Sequence, residues 1–143
     1  MNNQFTPDDL GVKNVNLKAV ATTKYPTLIL DLRRYHHFNL SFLVDNTGGG
    51  AAGVAKITTK LFAEDGATVL LTIDTLTAID TLVDRFEQLC FGNSRTAGKI
   101  GNGTLATDFG LIQAFSRVQF IVEVVTASDA TTCTGSLYLF AQA

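Results

Sequence analysis

The sequence predicts an all-β chain: a mainly antiparallel β-sandwich with one short α-helix near residues 78–91. Three observations carry that reading. FNLSFLV puts Phe38, Leu40, Phe42 and Val44 on one face and Asn39 and Ser41 on the other, the period-two signature of a half-buried strand. RVQFIVEVV alternates Val118, Phe120, Val122 and Val124 with Gln119, Ile121, Glu123 and Val125. Both rows are largely apolar, as expected of a central strand covered on both faces. Between these runs the dipeptide Asp65-Gly66 marks a hairpin turn.

The elements follow in order. MNNQFTPDDLG is polar and aperiodic, and reads as an arm over residues 1–11 that gains order by lying on a neighbour. Its candidate partner contacts are Phe5, Pro7, Asp8 and Asp9. A single sandwich domain over residues 12–143 is expected to follow, no core strand lying in the arm. VNLKA alternates, with Val15, Leu17 and Ala19 on one face, and Pro26 opens a stretch in which LILDL is rich in branched residues. After FNLSFLV and the loop DNTGGGAAG, VAKITTKLF places Ala55, Ile57, Thr59 and Leu61 on one face, and TVLLTI returns from the hairpin.

From Ala78 to Phe91 the period changes. Ile79, Leu82, Val83, Phe86, Leu89 and Cys90 fall at steps of three and four, a helical stripe that Thr77 can cap, Asp80 can favour and Gly92 can end. NSRTAGKIGNGT forms a glycine-rich loop carrying Arg95 and Lys99, TASDATTCTG a connection, and SLYLFAQ the closing strand. The expected core includes Leu40, Phe42, Ile57, Leu61, Leu71, Val118, Phe120, Val122 and Leu139.

With 143 residues the chain can bury a real core as one domain. Its 17% of charged residues falls below the usual quarter, so much of the surface is Thr, Ser, Asn, Gln and Gly. A net charge of -2 and the lack of a basic cluster beyond Arg33, Arg34, His36 and His37 argue against nucleic-acid binding. No apolar run approaches a membrane span and the start lacks an apolar signal core, so a soluble chain is expected. Cys90 and Cys133 have no second Cys or His at zinc-ligand spacing, and are expected as small hydrophobes rather than a disulfide.

TGGGAAGV raises the question of a nucleotide. Gly48, Gly50 and Gly53 fit G-x-G-x-x-G, and Asp74 lies near the ribose-binding position. LVDNTGGGAAGVAKITTKLFAEDGATVLLTID resembles the opening unit of the short-chain dehydrogenase family, which implies backbone N–H groups on a pyrophosphate and Asp74 on the ribose. Val54, Ile57, Thr58 and Thr59 are poor helix formers, however, and Val54 stands where that family places a glycine. Four residues beyond Tyr25, Tyr35 and Tyr138 stand Ile29, Asn39 and Gln142, not lysine, and the remaining chain shows no repeated βαβ unit. A phosphate-loop ATPase fails on Val54 and Ala55, which replace the Lys and Ser/Thr. TGGGAAG is therefore expected to be a flexible loop joining two strands.

Other constellations are equally plain. Adjacent His36 and His37 point to opposite faces of a strand and cannot chelate one ion; one is expected near Tyr35 and one on the surface. Asp8, Asp9, Asp31, Asp45, Asp65 and Asp74 sit where turn chemistry explains them. Ser41, Ser94, Ser116, Ser128 and Ser136 lack a nucleophile elbow. No catalytic residue, cofactor or metal is expected.

The pattern as a whole resembles the small β-sandwich virion proteins of tailed bacteriophages. The matching residues are Asp31, Leu32 and Tyr35 at a strand start, the Asp65-Gly66 turn, and Arg117, Val118, Phe120 and Val122 ahead of a Thr-rich crossover. The resemblance implies a jelly-roll-like core and a capsid decoration, or cement, protein. Such a protein is made in the host cytoplasm, binds between major capsid protein subunits on the head, and self-associates, with a trimer favoured. The alternatives are another neck or tail subunit, or a carbohydrate-binding sandwich, which would need exposed planar aromatics where this chain has no Trp.

Overall fold

The computed structural model describes residues 2–92, 98–106 and 117–142. Six long strands carry the architecture: β5 (His37–Thr47), β6 (Val54–Phe62), β7 (Val69–Asp80), β8 (Arg85–Gly92), β11 (Arg117–Thr126) and β12 (Thr132–Gln142). They act as three arches, each crossing from one sheet to the other: β5 to β6, β7 to β8, and β11 to β12. Side by side, the arches give β12-β5-β8 in the first sheet and β7-β6-β11 in the second, all antiparallel. The three crossovers lie at one end, because Thr47 pairs with Thr132, Val44 with Arg85, and Val54 with both Asp80 and Thr126. This is a jelly-roll-like winding, in which strands distant in sequence become neighbours.

Short strands extend the sheets. β1 (Asn2–Phe5) and β2 (Val15–Asn16) pair with β12, and β9 (Gly98–Ile100) pairs with β8. On the second sheet β3 (Lys24–Pro26) and β4 (Leu30–Asp31) pair with β11, and β10 (Thr104–Leu105) pairs with β7. The runs around VNLKA and LILDL thus supply only two-residue strands.

Alternation sets the core. Leu40, Phe42, Ile57, Leu61, Val118, Phe120, Val122 and Leu139 are all buried between the sheets, as their period requires. Thr59 and Thr75 are buried with them, and their hydroxyls satisfy each other at 2.5 Å. Gly135 lies beneath the Phe42 ring, where a Cβ would come within 2.7 Å of it, so the absence of a side chain there is what seats the phenylalanine. Leu71 departs from expectation: it pairs with Leu61 but is 37% exposed. Residues 67–72 are exposed throughout, so this end of the β6–β7 hairpin projects beyond the packed layer.

Residues 78–91 are not helical. β7 runs on to Asp80, a turn follows, and β8 begins at Arg85. The Asp80 carboxylate fixes that turn, accepting from Leu82 N at 2.7 Å and pairing with Arg85 at 3.0 Å. Within β8 the buried face is Glu87, Leu89 and Phe91, while Phe86 faces out. A buried glutamate on the core face breaks the apolar alternation, which is why steps of three and four stood out instead.

The one helix described is α1 (Pro7–Leu10), inside the segment expected to be an arm. Thr6 and Asp9 close it with a reciprocal capping box, Pro7 opens its first turn, and Gly11 ends it in the left-handed conformation. Leu10 and Val12 are fully buried in the core, and β1 adds to the edge of β12. The segment lies on the chain's own sandwich because its two apolar anchors have an internal home.

Candidate functional site

The glycine loop joins β5 to β6 at the arch end, and it is tied down. Ala51 N donates to the Asp129 carboxylate at 3.0 and 3.2 Å, and Ala52 N donates to Asp129 Oδ1 at 3.1 Å. Asp129 N in turn donates to Ala52 O at 3.3 Å. Gly50 adopts φ 142°, and a Cβ there would overlap the Asp129 carboxylate. The loop thus does what a glycine-rich turn does for a phosphate, presenting successive N–H groups to an anion. That anion is the chain's own. The donated hydrogen bonds, from Ala52 first, hold the Asp129 carboxyl below the ordinary carboxylate range, against the opposing cost of desolvation. Asn46 completes the knot: its N donates to Asp84 Oδ1 at 2.8 Å, its Nδ2 donates to Thr81 O at 2.7 Å, and its Oδ1 accepts from Gly49 N at 3.0 Å.

Asp74, the position that would meet a ribose, lies on β7 instead, accepting from Thr58 Oγ1 at 3.2 Å and pairing with Lys56 at 3.5 Å. The strand after the glycines is β6, so no helix N-terminus faces the loop. The geometry of a dinucleotide unit is absent from this segment.

Other polar residues are engaged in local structure. Asp65 takes three hydrogen bonds from Ala67 and Thr68 in its turn, which lower its pKa to about 2. The Arg33 guanidinium lowers Asp31 likewise to about 2, and Arg117 adds a weaker attraction at 3.9 Å. Asp31, Arg33, Arg34 and Tyr35 line an open cleft of about 450 Å³. His36 is exposed and donates its backbone N–H to Gln142 O at 2.8 Å, whereas His37 is half-buried. Cys133 is buried, Cys90 half-buried, and neither forms a disulfide. Among the described residues no group of three or more His, Cys, Asp or Glu could hold a metal ion. None of their helices is long and apolar enough to cross a membrane.

The candidate arm contacts play separate local parts. Phe5 packs edge-on against Tyr35 at 6.2 Å, continuing through Phe38 to Phe91. Pro7 is buried, Asp9 caps α1, and exposed Asp8 pairs with Lys13 at 3.2 Å. Arg95 and Ser94 in the glycine-rich loop, and Ser116, lie outside the described residues.

The two outer faces of the sandwich differ sharply. On the second sheet a rank of alternating charge crosses four strands: Lys24 lies 3.8 Å from Glu123, Glu123 3.9 Å from Lys56, and Lys56 3.5 Å from Asp74. On the first sheet, the outward-facing ranks Gln142–His37–Gly92, Phe140–Asn39–Cys90, Tyr138–Ser41–Gln88 and Ser136–Leu43–Phe86 hold no Lys, Arg, Asp or Glu, and exposed Asp45 opens the next outward rank toward the crossovers. Sequence reasoning placed Asn39 and Ser41 on this face but could not assemble their cross-strand neighbours, which come from β8, β9 and β12.

Three side-by-side arches with a tied crossover end define a β-sandwich of the jelly-roll-like class. No protein-family model matches the chain, and no curated protein does. Among solved structures it is similar to a chain of infectious bursal disease virus, Gx strain, with a TM-score of 0.51, 9% identity, and coverage of 99% of this chain and 32% of that one. A chain of the T13 particle of the same virus gives a TM-score of 0.50 at 8% identity, covering 99% and 30% respectively. The chain therefore spans about a third of the length of the virus chains it matches. The likeness is one of fold.

Proposed function

We propose that this protein is a non-enzymatic virion structural subunit, most specifically a decoration protein that binds between major capsid protein subunits of a phage head and stabilises the shell. The observation that carries the reading is that 99% of the chain follows the sandwich of a viral particle's chain. The sequence pattern resembling phage virion sandwiches supports it independently. So does the use of the polar groups, since Asp31, Asp65, Asp80, Asp84, Asp9 and Asp129 are all committed to turns, caps and loops of the chain itself. A subunit of this kind works by burying surface where shell subunits meet, which calls for a rigid scaffold rather than a reactive pocket.

The test is occupancy. Purified particles from an infected host, analysed by mass spectrometry and electron microscopy, are expected to carry this chain at a fixed ratio to the major capsid protein. Particles lacking it are expected to lose their genome at lower temperature. Absence of the chain from every particle fraction would overturn the reading.

A further inference from the structure

We propose that the outer face of the first sheet is a self-association surface, taking the same face of a second copy of this chain across a two-fold axis. The inference does not depend on the virion reading, since it rests on what this face displays.

Its first property is the absence of charge just described. The second is a set of large apolar side chains held out of the core by the strand period. Leu43 and Phe86 are directly paired neighbours, 42% and 47% exposed. Ile100 is 59% exposed beside them on β9, and Phe140 is 37% exposed on β12. Third, polar side chains between them are already partnered across strands. Gln88 Nε2 donates to Ser41 Oγ at 3.4 Å, and Cys90 Sγ donates to Asn39 Oδ1 at 2.8 Å. Groups paired in this way lose less on leaving water than free ones.

Area decides whether such a face can hold a partner. Three strands about 4.8 Å apart over roughly eight residues of about 3.4 Å rise, with the 4 residues of β1 and the 3 of β9 at the edges, present on the order of 500 Å². Two copies would bury about 1,000 Å², the size at which a specific interface begins. The second copy is favoured as occupant because a two-fold contact sets each surface against itself. A charged face meets its own sign there, and an uncharged one does not. A different protein selected by charge would find nothing on this face to read. Sheets stacked face to face with their strands at about 30° are also a standard packing. Such a contact is isologous and closes as a pair, in place of the three-fold cluster that the resemblance to phage proteins suggests.

Sedimentation equilibrium of the full chain tests this, with Leu43→Glu and Ser41→Arg on the face and Val20→Glu away from it, where Val20 is 77% exposed. The wild type is expected at twice the chain mass. Each face variant is expected to weaken the pair by at least ~100-fold with an unchanged circular dichroism spectrum, and Val20→Glu to leave it intact. If Leu43→Glu fails to fold, Ser41→Arg decides. A wild type that stays monomeric at about 100 μM would overturn the proposal. So would face variants that pair as tightly as wild type, or a Val20→Glu that weakens pairing equally. A monomer whose particle occupancy is abolished by Leu43→Glu would assign the face to the shell and overturn the two-fold pair, leaving the virion reading standing.

Discussion

Asp129 is exposed at the surface, yet it organises the loop that looked most like a ligand site. Its carboxylate is favoured in the native state by the N–H groups of Ala52 and Ala51, so its folded pKa lies below the unfolded value. The sign follows directly. The stabilisation is fully present above the ordinary carboxylate range and is lost as pH falls through the lower, folded-state value. Asp129→Ala is therefore expected to destabilise the protein at neutral pH, with the gap to wild type narrowing in urea titrations as pH falls below the ordinary carboxylate range. A gap that stays constant with pH would show that charge is not what Asp129 contributes. This contact joins residues 78 apart in sequence, so nothing beside Gly50 announced it. The glycine spacing was legible, but the identity of its anion was not.

At the scale of single elements, β8 and α1 show where residue pattern misleads. Glu87 is 1% exposed, and its Oε1 accepts from Asn102 N at 2.9 Å and Gly103 N at 3.2 Å. It fastens the segment between β9 and β10 to the side of the core. Glu87→Ala would strand both donors, and a loss of about 2 kcal/mol is expected in urea unfolding. A loss below ~0.5 kcal/mol would mean that water replaces the carboxylate freely. In α1, Leu10→Ala is expected to cost about 2–4 kcal/mol, because its side chain is fully buried. An unchanged unfolding midpoint would show that residues 2–10 are independent of the sandwich. Strands with clean alternation, such as Phe38 to Val44, could be read directly because burial and period agree. Leu10 could not, because with only Val12 beside it the run of polar and aperiodic residues set no period, and Glu87 masked its strand by placing a charge where an apolar residue was expected.

For the whole molecule, order comes from pairing across distance. His37 pairs with Gln142 and Phe62 with Arg117, so each sheet closes only when segments far apart in the chain meet. Loop-closure entropy must be met before those pairs return any stability, and refolding is expected on the millisecond-to-second scale, about that of other sandwiches. Stopped-flow dilution from urea measures it; a microsecond phase accounting for the full native signal would contradict the topology. The two-sheet class was visible in the sequence because β5, β6 and β11 each carry their own period. The lateral order of the arches was not, since period says which side faces in but nothing about which strand lies alongside.

The placement of β1 beside the end of β12 has a mechanical consequence. Asn2 and Gln142 are cross-strand partners at the end opposite the crossovers. Tension applied through these two residues would peel β1 from β12 one rung at a time, each bond carrying the load alone. Tension applied between the β6–β7 turn and the crossover at Asp129 would run along the strands, and many rungs would share it. The same fold is thus soft when tugged at Asn2 and Gln142 and stiff when strained along its length.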